Sequence, residues 1–183
     1  MQVHPTHISG LVVVEPRVFG DDRGYFFESF NAEKFQEAGL ETQFLQDNQS
    51  LSSRGVLRGL HFQRPPHAQG KLVRVIKGAV LDVAVDIRKG SPTYGQHHKL
   101  ELNAENKLQF YIPPGFAHGF ATLADETVFC YKCTDLYHPE TEGSIAWNDP
   151  DLSIDWQLEN PVLSAKDQQS PDFASFESPF TYS

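Results

Sequence analysis

The run Lys71-Leu-Val-Arg-Val-Ile-Lys77, followed after one glycine by Ala79-Val-Leu-Asp-Val-Ala-Val-Asp-Ile87, has the sequence of two successive β-strands. Both runs are short and rich in β-branched residues, and Gly78 between them supplies a turn. The preceding run, Leu57-Arg-Gly-Leu-His-Phe-Gln63, has the same character. Short runs of this kind separated by turn residues are typical of antiparallel all-β proteins.

The same rhythm of short apolar runs and turn residues continues along most of the chain. Fourteen Phe and six Tyr residues suit such strands. Strands are predicted at residues 10–14, 24–30, 43–51, 56–63, 71–77, 79–87, 96–102, 108–112, 119–122 and 127–136. The sequence therefore predicts an all-β protein, built as an antiparallel sandwich or barrel.

Signals for helices are few. Residues 31–39 predict the clearest helix, with Asn31 as its N-cap and Gly39 as its terminator. Another short helical piece is predicted after Pro161, and the last twenty residues are predicted to lie over the domain or over a partner subunit. Since the chain has no internal repeat and no linker-like stretch, residues 1–183 are predicted to form one domain.

The composition is that of an ordinary folded protein. Of 183 residues, 39% are hydrophobic and 21% are charged. No apolar run approaches the length of a membrane span, and residues 1–10 do not resemble a secretory signal, which favours a cytoplasmic protein. A net charge of −9 disfavours a general nucleic-acid binder, but it allows a site where a few cations bind a small anion.

The two cysteines, Cys130 and Cys133, form a CxxC pattern that raises the question of zinc or redox chemistry. They lie in a strand-like run, where residues three apart point to opposite faces of a sheet. A structural zinc site needs four ligands, and the sequence has no second pair of cysteines. We therefore expect these cysteines to pack as ordinary side chains in a reducing compartment.

Strand alternation predicts an unusual inward lysine. In residues 71–77, period two places Lys71 on the same face as Val73 and Val75. If the two valines face the barrel interior, the lysine does so too, and a buried ammonium is costly unless it meets an anion. The same rule groups His61 with Gln63 on one face of their strand.

Two segments, residues 55–63 and Pro113-Pro-Gly-Phe-Ala-His-Gly-Phe120, resemble the paired motifs of the cupin superfamily. In metal-binding cupins these motifs supply three histidines and a glutamate. Here the ligand positions hold His61, Gln63, Lys71 and His118. A protonated lysine has no lone pair for a metal, so we expect no metal and no cofactor, and an organic anion in the pocket.

A narrower resemblance covers nearly the whole chain. Besides the cupin-like motifs, it is carried by Tyr131 and Tyr137 and by residues 139–143, 147–152 and 163–167. These motifs are similar to those of the dTDP-4-dehydrorhamnose 3,5-epimerase family. The resemblance implies a cupin-type jelly-roll barrel of antiparallel strands with a few short helices, a core at about residues 43–137, and extensions at both ends.

The resemblance also implies a reaction. The family epimerises C3 and C5 of dTDP-4-dehydro-6-deoxy-D-glucose to give dTDP-4-dehydro-L-rhamnose, in the biosynthesis of dTDP-rhamnose for glycans such as the lipopolysaccharide O-antigen. Each epimerisation needs a base, an acid on the opposite face, and a cation at the C4 oxygen. The matching residues are His61 as base, Asp167 as the carboxylate that orients it, Tyr131 as acid, and Lys71 at the keto oxygen.

Arg58 matches a residue near the keto oxygen and the phosphates, but strict alternation places it opposite to His61. Both can serve one pocket only if Arg58 precedes the regular strand or Gly59 forms a bulge. The alternative is that Arg58 is a solvated strand residue.

The resemblance further implies a set of substrate-binding residues and a homodimer in which Arg23 and Glu28 reach the site of the neighbouring subunit. Arg23 and Lys166 suit the diphosphate, and Tyr137 suits stacking on thymine. The other matching residues are Gln46, Asp47, Asn48, His118 and Glu142. Five histidines are expected to lie outside the site: His4, His7, His67, His97 and His98.

Three other functions stay open from the sequence. A related epimerase could act at only C3 or only C5, since it would share the same base and acid. A non-catalytic sugar-binding cupin would not need His61, Asp167 and Tyr131 together. A metal-dependent cupin oxygenase would need metal ligands where Lys71 stands.

Overall fold

A computed structural model describes residues 1–182, and nearly all its regular structure is β-strand. It has one short α-helix, α1 (Ala32–Glu37), and 3-10 turns at Pro139–Thr141, Asp167–Gln169 and Phe173–Ser175. The strands are β1 (Gln2–Pro5), β2 (Val12–Glu15), β3 (Phe19–Asp21), β4 (Gly24–Phe26), β5 (Gln46–Ser52), β6 (Leu57–Gln63), β7 (Lys71–Lys77), β8 (Ala79–Asp86), β9 (Arg88–Lys89), β10 (His97–Asn103), β11 (Gln109–Ile112), β12 (Phe116–Thr122), β13 (Thr127–Cys133), β14 (Glu142–Ser144) and β15 (Phe180–Thr181).

Most strands belong to two sheets. The six-stranded sheet has the order β1-β2-β11-β7-β13-β5, and the five-stranded sheet has the order β10-β8-β12-β6-β14. Neighbours in both sheets run antiparallel. The all-β, cupin-type prediction is confirmed, although the two sheets are not closed into a continuous barrel.

An apolar core lies between the two sheets. It combines Val73 and Phe129 of the six-stranded sheet with Val80 and Phe120 of the five-stranded sheet, and all four are buried. Burying a side chain of this size stabilises the fold by about 1.5–3 kcal/mol. Because residues alternate along each strand, this arrangement determines which polar side chains also point inward.

A second core covers the outer face of the five-stranded sheet. Leu57, Leu60 and Phe62 of β6 are buried there. The C-terminal segment covers them, with Phe176 against Phe62 at a ring-centroid distance of 5.5 Å and β15 paired in parallel with β9. Of the two positions predicted for the tail, over its own domain or over a partner subunit, the structure has the first.

The predicted helix is present in slightly shorter form. The Asn31 side chain caps α1 by accepting a hydrogen bond from the backbone N–H of Lys34, 3.2 Å away. Gly39 follows the helix with φ of +71°, which suits a glycine terminator. The helix buries Phe35 against the outer face of the six-stranded sheet, beside Leu72.

Several strand boundaries differ from the prediction. The segment predicted as a strand at 24–30 is only Gly24–Phe26, which pairs with the unpredicted strand Phe19–Asp21. Strand β1 was also not predicted, since its sequence contains His and Pro. β12 begins at Phe116 rather than at 119, directly after the prolines of its turn.

Gly59 forms the bulge that the sequence left open. Residue pairing between β12 and β6 joins Phe120 with Arg58 and His118 with His61, so two residues of β6 oppose Gly119 alone. Gly59 has φ of +119°, and an added Cβ would lie 2.6 Å from the Gly119 Cα. Only glycine fits there, and the bulge turns Arg58 and His61 to the same side of the sheet.

We expect Gly59→Ala to lower the free energy of unfolding by about 2–5 kcal/mol, of which about 1–2 comes from the left-handed backbone and about 1–3 from overpacking. Gly55→Ala is the matched control, because Gly55 has φ of +87° and no atom lies within 4 Å of its added Cβ. The control should lose only the backbone part. Urea unfolding of the wild type and the two variants measures the loss of unfolding free energy in each variant. Equal losses in Gly59→Ala and Gly55→Ala would contradict the close approach of Gly59 to Gly119.

The two cysteines lie on opposite faces of β13, as predicted. Cys133 is buried, and Cys130 is partly exposed on the outer face beside Gln49. Within residues 1–182, no helix has the length and apolar character needed to cross a membrane.

Candidate active site

A cavity of about 530 Å³ lies between the two sheets, beside the apolar core. His61 and His118 reach it from the five-stranded sheet, while Lys71 and Tyr131 reach it from the six-stranded sheet. The predicted inward lysine is therefore present. The cavity walls thus hold an imidazole and a phenol on facing sheets, with the Lys71 amine on the same sheet as the phenol.

His61 is held by a buried carboxylate. Its Nε2 lies 2.6 Å from Oδ1 of Asp167, which is only 4% exposed. Burial would raise the pKa of Asp167, but hydrogen bonds from His61 and Ser164 outweigh it and hold the pKa below its usual value. An ionised Asp167 accepts a hydrogen bond from the Nε2–H of His61, so the free lone pair of the imidazole is on Nδ1. This tautomer is the one that a base needs.

Ser164 fixes Asp167 in turn. Its hydroxyl donates to Oδ2 of Asp167 at 2.8 Å, and the Asp167 backbone N–H donates back to the Ser164 oxygen at 3.1 Å. Both residues lie in the segment that follows Pro161, outside the two sheets. The segment after Pro161 therefore supplies the carboxylate that is hydrogen-bonded to His61 of β6.

Tyr131 carries a neutral phenol into the cavity wall. It lies on β13 opposite Val73 of β7, and its side chain is partly buried in the cavity wall. Burial raises the pKa of Tyr131, the neighbouring Cys133 and Glu142 raise it further, and Arg58 partly offsets them. The phenol therefore keeps its proton at neutral pH and can donate it.

Lys71 lies at the first position of β7, next to Cys133 of β13 and Ile112 of β11. Burial lowers the pKa of Lys71, while the negative charges of Asp82 and Glu142 raise it. An anionic oxygen in the cavity would further favour the protonated amine. The net effect lowers the pKa of Lys71, and the amine lies where a developing negative charge would be poorly solvated by water.

A second histidine–carboxylate pair lies deeper in the cavity. His118 Nε2 is 3.0 Å from both carboxylate oxygens of Asp82, which is fully buried. Burial lowers the pKa of His118, and Lys71 and His61 lower it further against the effect of Asp82. In a neutral His118 the Nε2–H donates a hydrogen bond to Asp82, so Nδ1 can accept a hydrogen bond from a ligand hydroxyl.

Sequence reasoning missed Asp82 and Ser50. Asp82 lies two residues from Val80 and two from Ala84, which both face inward on β8. The period-two alternation that placed Lys71 inward would therefore have placed Asp82 inward as well. Ser50 lines the cavity from β5, and its hydroxyl has no hydrogen-bond partner among the described residues. Its serine hydroxyl carries no sequence signal that distinguishes it from other strand serines.

Arg58 shares the cavity with His61, because of the bulge at Gly59. Its guanidinium donates to the Ser52 hydroxyl at 3.2 and 3.3 Å. Asn48 also lines the cavity, from β5. Arg58 itself remains exposed, so it is a solvated strand arginine that also lines the cavity.

An adjoining depression of about 220 Å³ extends the cavity toward the surface, and Asn48, His61, Lys71 and Tyr131 line both. Gln46, Tyr137 and Glu142 line its outer part. The Tyr137 hydroxyl donates to Glu142 at 2.7 Å, and Lys166 forms an ion pair with the same carboxylate. The Tyr137 ring is 53% exposed, so one face is available to a flat ligand.

Three of the predicted binding residues lie away from this cavity. Asp47 points to the outer face of the six-stranded sheet, where Lys132 donates to it at 2.9 Å. Arg23 lies on the exposed hairpin of β3 and β4 and pairs with Asp21. Glu28 pairs with Lys34 near α1.

The cupin metal position lacks a suitable set of ligands. Gln63 is buried, and its carboxamide is fully engaged with backbone groups: Nε2 donates to the carbonyls of His67 and Leu136, and Oε1 accepts from the N–H of His138. Lys71 occupies the position of the glutamate ligand. These donors suit an anion better than a metal ion.

The chain matches known proteins over most of its length. Residues 5–175 match the family model described as dTDP-4-dehydrorhamnose 3,5-epimerase. Proteins of that name from Pseudomonas aeruginosa and Methanothermobacter thermautotrophicus are 57% and 56% identical, over 91% and 89% of this chain and 93% and 89% of theirs.

A solved structure of high similarity carries a ligand. It is the dTDP-6-deoxy-D-glucose-3,5-epimerase RmlC from Legionella pneumophila in complex with dTDP-4-keto-L-rhamnose. It is 49% identical, has a TM-score of 0.95, and covers 100% of this chain and 98% of its own. A dTDP-4-dehydrorhamnose 3-epimerase from Streptomyces niveus is 39% identical over 93% of this chain and 83% of its own. With its fold and its cavity, the chain belongs to the dTDP-4-dehydrorhamnose 3,5-epimerase family.

Proposed function

We propose that this protein is a cofactor-independent isomerase that epimerises dTDP-4-dehydro-6-deoxy-D-glucose at C3 and C5, giving dTDP-4-dehydro-L-rhamnose in dTDP-rhamnose biosynthesis. The observation that carries the proposal is the facing pair of His61, held by Asp167, and Tyr131, with Lys71 in the same cavity. The ligand-bound relative from Legionella pneumophila supports the choice of substrate.

The chemistry follows from the ketone at C4. His61 Nδ1 removes the proton from C3 or C5, and the electron pair of the broken C–H bond forms an enolate with its charge on the C4 oxygen. Lys71 stabilises that charge, which is the role of a preorganised cation in a desolvated site. Tyr131 then gives its proton to the same carbon from the opposite face, and proton exchange with water restores both residues before the second carbon reacts.

The outer depression suits the nucleotide. Tyr137 offers an exposed ring for stacking on thymine, while Gln46 accepts from the Tyr137 backbone N–H at 2.8 Å and fixes that segment. Lys166 supplies a cation for the diphosphate, and it lies next to Asp167. Binding of the nucleotide would therefore be coupled to the position of the catalytic carboxylate.

Isotope incorporation tests this function. The purified protein is incubated with the dTDP-keto-sugar in deuterated water, and NMR reads deuterium and configuration at each carbon. Deuterium with inversion at C3 and C5 supports the proposal. Label at one carbon only would instead identify a single-carbon epimerase, the alternative favoured by the Streptomyces niveus relative, and no label would indicate a sugar-binding protein.

We also propose a homodimer in which each subunit completes the site of the other. Arg23 and Glu28 lie away from the cavity of their own chain. Arg23 belongs to a hairpin with exposed aromatic side chains, Tyr25 at 60% and Phe26 at 66%. An exposed apolar hairpin that carries an arginine suits a protein interface close to an anionic ligand.

Mixed dimers test the shared site. We expect Arg23→Ala and His61→Asn each to be poorly active alone, and co-expression of the two to restore part of the activity. The mixed dimer contains one site with an intact His61 from one chain and an intact Arg23 from the other. Arg54→Ala is a control that should have little effect, because Arg54 is an exposed residue between β5 and β6, away from the hairpin, and its backbone N–H donates to Asp125. Failure of mixed dimers to recover activity would contradict the shared site.

We propose a cytoplasmic location, because the free thiols Cys130 and Cys133 suit a reducing compartment. The net charge of −9 gives no support to a nucleic-acid partner.

Lys71→Ala is expected to lower kcat about 10²–10³-fold, while nucleotide affinity changes little, because the ammonium acts mainly on the enolate. Lys77→Ala, at the other end of β7 in a surface pair with Glu126, is the matched control. Steady-state kinetics with thymidine diphosphate inhibition separate the two effects. A change in affinity with an unchanged kcat would contradict the role.

A further inference from the structure

A cluster of metal-ligating side chains lies outside the cavity, at its rim. His67, Asp135 and His138 each offer a ligand atom, and these atoms all lie within 4.8 Å of one another. His67 belongs to the loop between β6 and β7, while Asp135 and His138 follow β13. The cluster therefore joins two separate loops, and none of its three residues takes part in the proposed chemistry.

The spacing of His67 and Asp135 suits a bound ion. Nδ1 of His67 lies 3.2 Å from Oδ2 of Asp135. Two donors that each bind zinc at about 2.1 Å span a near-tetrahedral angle when they are a little over 3 Å apart. The same distance serves as a hydrogen bond when no ion is bound, so the loops need not move to accept one.

His138 is placed to supply the third ligand. Its ring stacks on that of His67, with 3.5 Å between the centroids and 11° between the planes. Parallel rings do not converge on one ion, so the His138 ring must turn about its own bond. Its contact with Glu140, a surface residue 64% exposed, is weak enough to be exchanged.

The backbone of the cluster is already fixed. The buried Gln63 carboxamide donates to the carbonyl of His67 at 2.6 Å and accepts from the N–H of His138 at 2.8 Å. Gln69 donates to the carbonyl of Asp135 at 2.8 Å. A site on a rigid backbone loses little conformational entropy when an ion binds, which favours binding.

Charge also favours a cation. Asp135 lies against His67 and Glu140 lies against His138, so two carboxylates stand beside the two imidazoles. Carboxylate oxygens and imidazole nitrogens are both ligands for zinc.

We propose that His67, Asp135 and His138 form a binding site for one zinc ion, with water as the fourth ligand. Two imidazoles, one carboxylate and a water are a common donor set for four-coordinate zinc. The ion would link the β6–β7 loop to the segment that carries Tyr137. It lies outside the cupin metal position, where Lys71 stands.

Zinc binding to the chelator-treated full-length protein tests the site. Isothermal titration with zinc chloride at pH 7.5 should give one ion per chain and raise the melting temperature. His67→Ala and Asp135→Asn should each weaken binding about tenfold or more. His98→Ala is the matched control, because His98 pairs with His7 in a separate surface cluster, at 3.4 Å between their Nδ1 atoms.

The variants also report on folding. Melting without zinc shows whether each variant is folded, and the near-isosteric Asp135→Asn remains informative if a histidine variant is not. Cobalt in place of zinc should give the visible absorption of a four-coordinate site, lost in the same variants. Absence of binding, binding unchanged in His67→Ala and Asp135→Asn, or binding lost in His98→Ala would overturn the proposal.

Discussion

His61→Asn is expected to lower kcat about 10²–10⁴-fold and to abolish deuterium exchange at both C3 and C5. Asparagine keeps a polar side chain of similar shape, but it cannot take a proton at neutral pH. In a 4-keto sugar of the D-gluco series the C3 and C5 hydrogens are axial on the same face of the ring, so a single base on one wall of the cavity can serve both carbons. Loss of exchange at both carbons in one variant therefore tests the shared base directly.

Nucleotide affinity should be nearly unchanged in this variant, because Tyr137 lines the outer depression and Lys166 pairs with Glu142 of its wall, and neither residue contacts His61. NMR of substrate in deuterated water measures exchange, and fluorescence titration with thymidine diphosphate measures affinity. His97→Asn, on the edge strand β10 of the five-stranded sheet, is the control for loss of a histidine. Exchange that persisted at one carbon in His61→Asn would show that a second base serves that carbon.

A substitution of Asp167, the carboxylate hydrogen-bonded to His61, should give a smaller loss of kcat in the same assay. Asp167→Asn removes the charge that favours the Nε2 proton on His61, yet it leaves the shape of the pair intact. The expected loss is smaller than that of His61→Asn, since the imidazole remains. The two losses should not add in the double variant, because both residues act through one base.

Strand alternation predicted much of the site from the sequence. It placed Lys71 inward with Val73, and the structure puts all three of Lys71, Val73 and Val75 on the inner face. The same rule, applied to β5, separates Asp47 from Asn48: Asp47 lies on the outer face with Lys132. The resemblance grouped these two residues together because it matched a sequence run, which carries no information about faces.

The parts that alternation could not predict are those where the chain departs from a regular strand or belongs to a different element. Arg58 and His61 share a cavity only because Gly59 adds a residue to β6. Asp167 reaches His61 from a segment 106 residues later in the chain. Contacts of that range depend on how the C-terminal segment packs on the second core, which no local pattern specifies.

Tyr131→Phe should separate proton removal from inversion. We expect net epimerisation to fall about 10²–10⁴-fold, because the phenol is the acid that protonates the far face of the enolate. Exchange should continue, since His61 still removes the proton and can return a deuteron from solvent to the same face. The product of prolonged incubation is then labelled substrate with its original configuration, which NMR and mass spectrometry identify together.

Tyr94→Phe is the matched control, because Tyr94 is 37% exposed and packs on Phe173 outside the cavity. If Tyr131→Phe still inverted C3 and C5 at the normal rate, the acid would lie elsewhere in the cavity wall.

The pH dependence gives an independent check. Since the pKa of Tyr131 is raised by burial above the ordinary phenol value of about 10, the acid stays protonated through neutral and mildly alkaline pH. We therefore expect that ionisation of Tyr131 causes no fall in the kcat/KM of the wild type below about pH 10. If the wild type did show a fall in kcat/KM below that pH, and Tyr131→Phe did not, the phenol of Tyr131 would be ionising there, which would contradict a buried, neutral phenol.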